Sequence, residues 1–390
     1  MGEIAVFSKG VGYSKNDLCE EGTPIILYGR LYTKYETCIF DVDTFVKEKA
    51  GSVYSKGGEV IVPASGETAE DISIASVVVK PGILLGGDLN IVSPTAEYDS
   101  AFLALTISSG ATHKYLSSLA QGKSVVHLHN SDIQSVSAKF PTKREQEKIH
   151  LIFGKIDTLI TLHQRKYDKL QVLKKAMLEK MFPKNGSSVP EIRFKGFTDA
   201  WEQRKLGEVA NLLTGFPFES KKFVREGIKL VRGMNVKRGY LDFSEELCEC
   251  WSSSQGLENY LLNSGDILIQ MDGALIGKSY AKIKENQLPA LLVQRVTRVR
   301  IQNQISDGSF VYQQIQKGFL TYIKGTKTET AVPHLSLNDI ESFEIATPSV
   351  DEEKKIGAFF ESLDHLITLH QRELEKLQNI KKSMLEKMFV

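Results

Sequence analysis

The sequence predicts an α+β fold, in which two mixed α/β domains in tandem are each followed by a long α-helix. The chain has 390 residues, enough for two or three domains of about 150 residues each. One helical segment occurs twice in it. The segments before the two copies are rich in β-branched residues and are broken by glycine and proline, a pattern typical of strands and turns.

The helical repeat is the strongest signal. Residues 157–182 return as residues 364–389, 207 positions later, and 19 of the 26 paired positions are identical. Chance would give about one or two identities at ordinary composition. The same offset links His127 with His334 in the preceding segments, although these are otherwise divergent. The chain therefore contains an internal duplication, in which each copy is a variable domain followed by a nearly identical helix.

The duplication sets the predicted domain boundaries. Strand-like runs such as 60–62 and 267–270 lie in the variable parts, and the stretch 183–190 is the clearest linker. The four predicted parts are a first variable domain at 1–142, a first spacer helix at 143–182, a linker, arm and second variable domain at 183–348, and a second spacer helix at 349–390.

Each repeated helix has one apolar side. Apolar residues recur at spacings of three and four, which is the pattern of an amphipathic helix with a single stripe. We expect the two helices to bury these stripes against each other, as an antiparallel coiled coil with pseudo-twofold symmetry. The predicted coiled-coil seam consists of Ile149, Phe153, Ile156, Ile160, His163, Leu170 and Met177 in the first helix, and of Ile356, Phe360, Leu363, Ile367, His370, Leu377 and Met384 in the second.

Two seam positions are histidines, His163 and His370. We interpret them as packed and hydrogen-bonded, because no other His or Cys accompanies either one at the spacing of a metal site. The four cysteines include no Cys-x-x-Cys pair and are expected to be reduced. The sequence therefore predicts no metal centre.

Catalytic motifs are missing from the sequence. The Asn/Asp-Pro-Pro-aromatic motif of amino-group DNA methyltransferases cannot occur, since the chain contains no Pro-Pro pair. Gly-x-Ser-x-Gly and His-Glu-x-x-His are absent as well. A non-catalytic protein is expected.

Basic charge is local. The 49 Lys and Arg and 48 Asp and Glu leave a net charge of +1, so any site for a polyanion must be confined to a patch. Residues 219–238 contain seven basic and two acidic side chains, and basic and aromatic residues alternate along 28–35 of the first domain. For any single residue in these two stretches, the alternative is that it lies on a solvated charged surface and binds no nucleic acid. The corresponding placement in both copies favours two binding patches.

Two motifs together resemble one known family. They are the duplicated Asp-x-Leu-Ile-Thr-Leu-His-Gln-Arg…Lys-Lys-x-Met-Leu-Glu-Lys-Met-Phe helix and the arm Ile-Arg-Phe-Lys-Gly-Phe-Thr-Asp-Ala-Trp at 192–201. In combination they resemble the specificity (S) subunit of type I restriction-modification enzymes over essentially the whole chain. The arm precedes only the second domain, whereas the first begins at Met1-Gly2-Glu3. The resemblance implies two target recognition domains, each recognising one half of an asymmetric, bipartite sequence in double-stranded DNA.

The resemblance also implies partners. Two modification (methyltransferase) subunits would dock on the paired helices, and restriction (motor and nuclease) subunits would join through the complex. The chain would hold no cofactor, while S-adenosylmethionine, ATP and Mg would belong to the partner subunits. No apolar run approaches the length of about 18 residues that a membrane-spanning helix needs, and no targeting segment is evident. A cytoplasmic protein without a membrane partner is expected.

Charge and repeat position select the candidate DNA-binding residues. Arg and Lys can neutralise phosphates, Tyr can hydrogen-bond them, and Arg, Gln and Asn can also recognise base edges. The alternative to DNA recognition is that the chain is a coiled-coil adapter that binds proteins only. A third possibility, a free-standing nuclease or methyltransferase, lacks any supporting motif. The first-domain candidates are Lys9, Tyr13, Lys15, Tyr28, Arg30, Tyr32 and Lys34. The second-domain candidates are Lys221, Lys222, Arg232, Asn235, Lys237, Gln294 and Arg295.

Overall fold

A computed structural model describes residues 1–122, 125–184, 186–273, 276–326 and 334–389. Residue 185 of the predicted linker lies outside these ranges. The chain divides into two compact units: unit 1 comprises residues 1–165 and 370–390, and unit 2 comprises residues 166–369. Each unit therefore contains one variable domain together with parts of both long helices.

The main sheet of unit 1 is built around a central strand, Glu59–Pro63, that is buried along its whole length. Burial on both faces accounts for its run of Val and Ile. In spatial order the five strands are Ala5–Lys9, Leu89–Pro94, Glu59–Pro63, Ser76–Val78 and Cys38–Ile39, the last pair being parallel and the others antiparallel. A second sheet contains, in spatial order, Leu18–Cys19, Phe45–Val46, Thr23–Ile26 and Leu84–Leu85. A two-stranded pair joins Ser65–Gly66 to Val126–His127.

One buried helix packs against this main sheet. Helix Ser100–Ile107 is buried from residue 101 to residue 107 and is hydrophobic on all sides, as a core helix must be. It begins where the Asp99 carboxylate accepts a hydrogen bond from Phe102 N at 2.7 Å, which satisfies a backbone donor at the helix start. The other short helices of unit 1 are Arg30–Thr33, Ala69–Ile72, Gly110–Leu119 and Asn130–Ser135, with a 3-10 turn at Lys15–Asp17.

The main sheet of unit 2 has four antiparallel strands. In spatial order they are Ala210–Thr214, Val296–Ile301, Ile267–Gln270 and Tyr280–Lys282. Smaller sheets contain Cys250–Trp251, Ile228–Val231 and Ala290–Leu292, and Glu202–Lys205 with Glu344–Thr347. The short helices are Leu206–Val209, Gly308–Gln314, Leu320–Thr326 and Leu337–Glu341, with a π turn at Ile315–Phe319 and 3-10 turns at Ser220–Lys222, Gly233–Asn235, Glu258–Tyr260 and Glu285–Gln287.

The two units share one strand register. Ala5 lies opposite Pro94 in unit 1, and Ala210 lies opposite Ile301 in unit 2, at offsets of 205 and 207 residues. The pairings of the neighbouring strands correspond in the same way, as do the parallel pairs of the smaller sheets. The duplication therefore extends through the variable domains, where few side chains are identical.

The last aromatic residue of each repeated segment enters the core of a unit. Phe182 packs in unit 2 against Phe310 and Phe360, with ring centroids 5.5 and 5.9 Å away. Its repeat copy Phe389 packs in unit 1 against Phe102 and Phe153, at 5.3 and 6.2 Å. Burying an aromatic ring stabilises a fold by about 1.5 to 3 kcal/mol, so each repeat contributes to the core of a unit.

The long helices span Lys143–Lys180 and Val350–Met388. In unit 1 they contact each other at Asp157 and Lys381, whose Oδ1 and Nζ atoms lie 2.5 Å apart, and at Phe153 and Phe389. Residue numbers rise along one helix while they fall along the other. These two segments therefore run antiparallel.

In unit 2 the helices meet in the same sense. Lys174 Nζ lies 2.6 Å from Asp364 Oδ1, and Phe182 contacts Phe360. All fourteen residues assigned to the seam are buried or partly buried. The mixed α/β class and the tandem layout predicted from the sequence are confirmed. None of the helices in the described ranges has the length and hydropathy that crossing a bilayer would take.

Candidate nucleic-acid interface

Four loops of unit 2 meet beyond the ends of its strands. Backbone hydrogen bonds join three of them: Gln294 N donates to Phe216 O at 2.9 Å, and Met271 N donates to Arg295 O at 2.9 Å. The fourth loop begins after Val231, whose carbonyl accepts from Val293 N at 3.1 Å. We call these loops the unit 2 loop cluster; they are residues 215–218, 232–235, 271–273 and 293–295. The cluster brings together four of the candidate residues of the second domain: Arg232, Asn235, Gln294 and Arg295.

Gln294 and Arg295 form the exposed tip of this cluster. Arg295 has φ of +77°, an uncommon value for a residue with a side chain, which a tight turn accommodates. Its side chain is 53% exposed, and Nε lies 3.6 Å from Asp272 Oδ2. A separation this long in solvent leaves the guanidinium available to another acceptor. An amide and a guanidinium side by side suit the recognition of base edges.

Asn235 has a structural role. Its side chain is completely buried, and its amide donates to Asp242 O and Leu247 O, both at 2.9 Å. Its Oδ1 accepts a hydrogen bond from Arg232 N at 3.0 Å. The Arg232 guanidinium donates to Leu247 O at 2.8 Å and lies over the Phe223 ring. Both side chains therefore shape the loop from inside.

The three lysine candidates of unit 2 lie on nearby turns. Lys221 and Lys222 are exposed, and Lys222 Nζ pairs with Glu219 at 2.9 Å. Lys237 is partly buried. An exposed pair like that of Lys222 contributes little to stability, so this lysine can exchange partners at low cost.

The loops of unit 1 form a corresponding cluster. Ala64 N donates to Asp88 O at 2.7 Å, just as Met271 N does to Arg295 O, and Asp88 also has a positive φ, +57°. We call it the unit 1 loop cluster; it consists of residues 10–13, 27–30, 64–66 and 86–88. At its tip Gly87 and Asp88 occupy the places of Gln294 and Arg295 in unit 2, so the two tips differ in charge.

A close backbone approach fixes both clusters. A Cβ atom on Gly10 would lie 1.9 Å from Gly86 O, and one on Gly215 would lie 2.2 Å from Val293 O. Both distances are far below van der Waals contact, so only glycine fits at either position. The two clusters thus share a backbone arrangement and differ in the side chains that it presents.

Of the tyrosine candidates in unit 1, Tyr28 is exposed and packs edge-on against Tyr32 at 6.1 Å between ring centroids. Tyr32 donates to Ser65 O at 2.7 Å, and burial raises its pKa above the ordinary value. Tyr13 is partly buried, and its hydroxyl accepts from Lys49 N at 2.7 Å. Tyr28 is thus the most accessible of the three.

The charge of Arg30 is compensated inside unit 1. This side chain is buried and binds Asp43 at 2.7 Å and Glu36 at 2.9 Å. Asp43 also binds Lys34 at 2.9 Å. The hydrogen bonds of Lys34 and Arg30 lower the pKa of Asp43 to about 2. Lys9 and Lys15 are exposed, as is Lys34 in its solvent-exposed pair with Asp43. These three lysines are the accessible cations among the candidates of unit 1.

The sequence analysis did not predict the acidic partners of Arg30, Lys34 and Arg295. Glu36, Asp41 and Asp43 follow the basic and aromatic stretch 28–35 within a few positions, and a wider charge window would have found them. Asp272 beside Arg295 was missed because strand pairing, rather than proximity in sequence, brings the two together.

Together, these features define a class: an internally duplicated protein whose two domains share a scaffold and present different loops. Comparison with known proteins identifies the class more closely. Residues 198–379 match the model of the type I restriction modification DNA specificity domain. This part of the chain is therefore similar to type I restriction enzyme specificity subunits, the family that the repeated helix and the arm resemble.

Individual relatives agree. The type I restriction enzyme MjaVIII specificity subunit of Methanocaldococcus jannaschii is 24% identical over 355 residues, covering 87% of this chain and 80% of that protein. The EcoAI specificity subunit of Escherichia coli is 30% identical over 176 residues, covering 45% of this chain and 30% of that protein. The crystal structure of the type I restriction-modification S subunit from M. genitalium has a TM-score of 0.68 at 16% identity, covers 100% of this chain and 94% of that chain, and confirms the fold.

Proposed function

We propose that this chain is the DNA sequence-recognition subunit of a type I restriction-modification complex, and that it recognises an asymmetric, bipartite site in double-stranded DNA without catalysing a reaction. One observation supports this above all: the two loop clusters have the same backbone arrangement and different tips. Equal scaffolds place equivalent loops, while Gly87-Asp88 and Gln294-Arg295 differ in charge and hydrogen-bonding groups. Two half-sites of different sequence follow from this difference.

The repeated helices would pair as an antiparallel coiled coil with pseudo-twofold symmetry and set the gap between the half-sites. Reciprocal contacts support this: Asp157 binds Lys381 in unit 1, and their repeat copies Asp364 and Lys174 bind each other in unit 2. When residue i contacts residue j and the copies of i and j also contact each other, the interface is self-complementary, as a twofold axis requires. Half-sites about one helical turn apart, roughly 34 Å, suit such an arrangement.

Two modification subunits would dock on these helices, and restriction subunits would join the complex through them. Apolar side chains repeated off the seam support two equal docking surfaces. Leu159 is 44% and Leu162 is 47% exposed, and their copies Leu366 and Leu369 are 40% and 45% exposed. S-adenosylmethionine, ATP and Mg would be bound by the partner subunits, which would perform the chemistry.

Mapping of methylated bases in DNA from cells that carry the complete system tests the proposal. We expect one asymmetric motif made of two half-sites with a fixed gap. If the chain were instead a coiled-coil adapter that binds proteins only, no methylated motif would depend on it. The chain with its partners would then give no footprint on DNA. Incubation of the purified chain with DNA, S-adenosylmethionine and Mg²⁺ should give neither methylation nor cleavage; either activity would contradict a non-catalytic role.

A further inference from the structure

Two histidines of the variable domains occupy the same place in their units. His127 lies opposite Ser65 in the two-stranded pair of unit 1. His334, 207 residues later, forms the corresponding bridge with Asp272 in unit 2. The side chain is therefore repeated in sequence and in position, within domains that otherwise share few side chains.

Packing does not explain this repetition. The neighbouring residues Leu128 and Leu335 also recur, but both are completely buried and serve the cores. His127 and His334 are both exposed. An exposed side chain that recurs in two divergent domains indicates a contact that both domains make outside themselves.

In unit 1 the histidine adjoins a candidate DNA-binding residue. Ser65 Oγ lies 3.1 Å from His127 Nδ1, and Ser65 O accepts the hydrogen bond of Tyr32. When the Ser65 hydroxyl donates to Nδ1, the neutral imidazole carries its proton on Nε2. The ring then presents Nε2 as a hydrogen-bond donor at the edge of the unit 1 loop cluster.

In unit 2 the placement is equivalent. Asp272, the bridge partner of His334, is the residue whose carboxylate lies 3.6 Å from Arg295 Nε at the exposed tip. His334 therefore lies at the edge of the unit 2 loop cluster, close to the exposed candidate residue Arg295.

We propose that His127 and His334 are matching contacts to the sugar-phosphate backbone of DNA, one in each half-site. This inference rests on the proposed function. Half-sites of different sequence have only their backbone in common, so a residue that is the same in both units suits the shared part, whereas the tips suit the bases. Phosphate contacts of this kind position a protein on the duplex without carrying sequence information.

The test is DNA binding by the full chain assembled with its modification subunits, with His127→Ala and His334→Ala each compared with the unaltered complex. Loss of one hydrogen bond to a phosphate should weaken binding about three- to ten-fold. The factor should be the same on cognate DNA and on DNA with scrambled half-sites, and the methylated motif should stay unchanged. His127→Gln should recover part of the loss, since the amide supplies a donor near the position of Nε2.

The matched control is His129→Ser, which removes an exposed imidazole two residues away and introduces the side chain that unit 2 has at Ser336. It should change affinity less than about two-fold. An equal loss in this control, no loss in either alanine variant, or a loss confined to cognate DNA would overturn the inference while the proposed function stands. An unaltered complex that bound no DNA would instead contradict the proposed function.

Discussion

His163 and His370 contact each other through the same atom: the two Nδ1 nitrogens lie 3.0 Å apart, and the residues are 207 positions apart, the offset of the repeat. One Nδ1 must donate and the other accept, so at least one of the two rings is neutral in this arrangement. A residue that touches its own repeat copy lies where the two copies cross. The contact thus marks the midpoint of the helix pairing in our proposal.

The histidine pair should be energetically coupled. His163→Leu or His370→Leu alone leaves a polar ring beside an apolar one, and each should lower the free energy of unfolding by about 1 to 2 kcal/mol. The double variant forms an apolar seam pair and should cost less than the sum, with a coupling of about 1 kcal/mol in urea titrations followed by circular dichroism. Strictly additive costs would show that the rings do not interact.

The reciprocal ion pairs should be equivalent. Asp157→Ala removes the partner of Lys381 in unit 1, and Asp364→Ala removes the partner of Lys174 in unit 2. Both lysine side chains are mostly buried, at 19% and 13% exposure, so each change should lower unfolding free energy by about 1 kcal/mol. Thermal unfolding of the two variants should give equal shifts. Clearly unequal shifts would contradict the self-complementary pairing.

Stability should fall with rising pH because of Glu353. Burial raises the pKa of this carboxyl to about 7, while its side chain accepts from Ser306 Oγ at 2.6 Å and from Asp307 N at 2.7 Å. Between its ordinary pKa, near 4.5, and about 7 the folded protein binds the proton that the unfolded chain has released. The contribution of Glu353 to the free energy of unfolding is therefore complete below the pKa that this group has in the unfolded chain. It is lost as the pH rises to about 7, and the loss amounts to up to about 3 kcal/mol.

Unit 1 contains a natural control for the buried carboxyl of Glu353. The corresponding residue of unit 1 is Gln146, which is buried and accepts from Asp99 N at 2.9 Å. Glu353→Gln should flatten the dependence of unfolding free energy on pH between 5 and 8, whereas Gln146→Glu should steepen it. Urea titrations at both pH values measure this. A wild-type protein equally stable at pH 5 and pH 8, with no effect of either variant, would refute the assignment.

The candidate DNA-binding residues should separate into two kinds. Arg295→Ala should weaken cognate DNA binding by the assembled complex by about 1 to 3 kcal/mol and leave stability unchanged, because its side chain is exposed. Asn235→Ala should instead lower unfolding free energy by about 1 to 3 kcal/mol, because Asp242 O and Arg232 N lose the hydrogen bonds that they make with the buried Asn235 amide. Filter binding and urea titration of both variants distinguish the two roles. The reverse pattern would show that the loops rearrange on binding.

The spacer proposal predicts a change of gap. Inserting about four residues, one helical turn, at corresponding points of both long helices should lengthen the gap between the half-sites and leave each half-site unchanged. Mapping of methylated bases measures the gap directly. An unchanged gap would contradict the spacer role of the helices.

Repetition and apolar period predicted the large features correctly. The 19 identities between the helix copies gave the duplication, and the spacing of three and four gave long helices close to those observed at Lys143–Lys180 and Val350–Met388. Helical periodicity depends on residues near each other in sequence, so it is visible without tertiary structure. The strand pairing of the variable domains was harder to predict, since strands that pair lie far apart in the chain.

Burial of the candidate residues was the least predictable property. Arg30 and Lys34 belong to one basic stretch, yet Arg30 turns inward to Asp43 and Glu36 while Lys34 is exposed. Asn235 was selected for its base-reading chemistry, but the same amide suits a tight turn. Charge composition reports which groups are present, whereas their exposure depends on strand pairing and loop closure.

Because the two units share one strand register, the residues at the tip of one loop cluster have equivalent positions in the other. Residues 87–88 and 294–295 occupy corresponding positions beside correspondingly paired strands. We therefore expect that the side chains of one tip could be grafted onto the other with the strand pairing retained. If the loop tips recognise DNA as we propose, exchange of a few loop residues, or of a whole domain, would give a new specificity while the strand frame and the long helices stay intact.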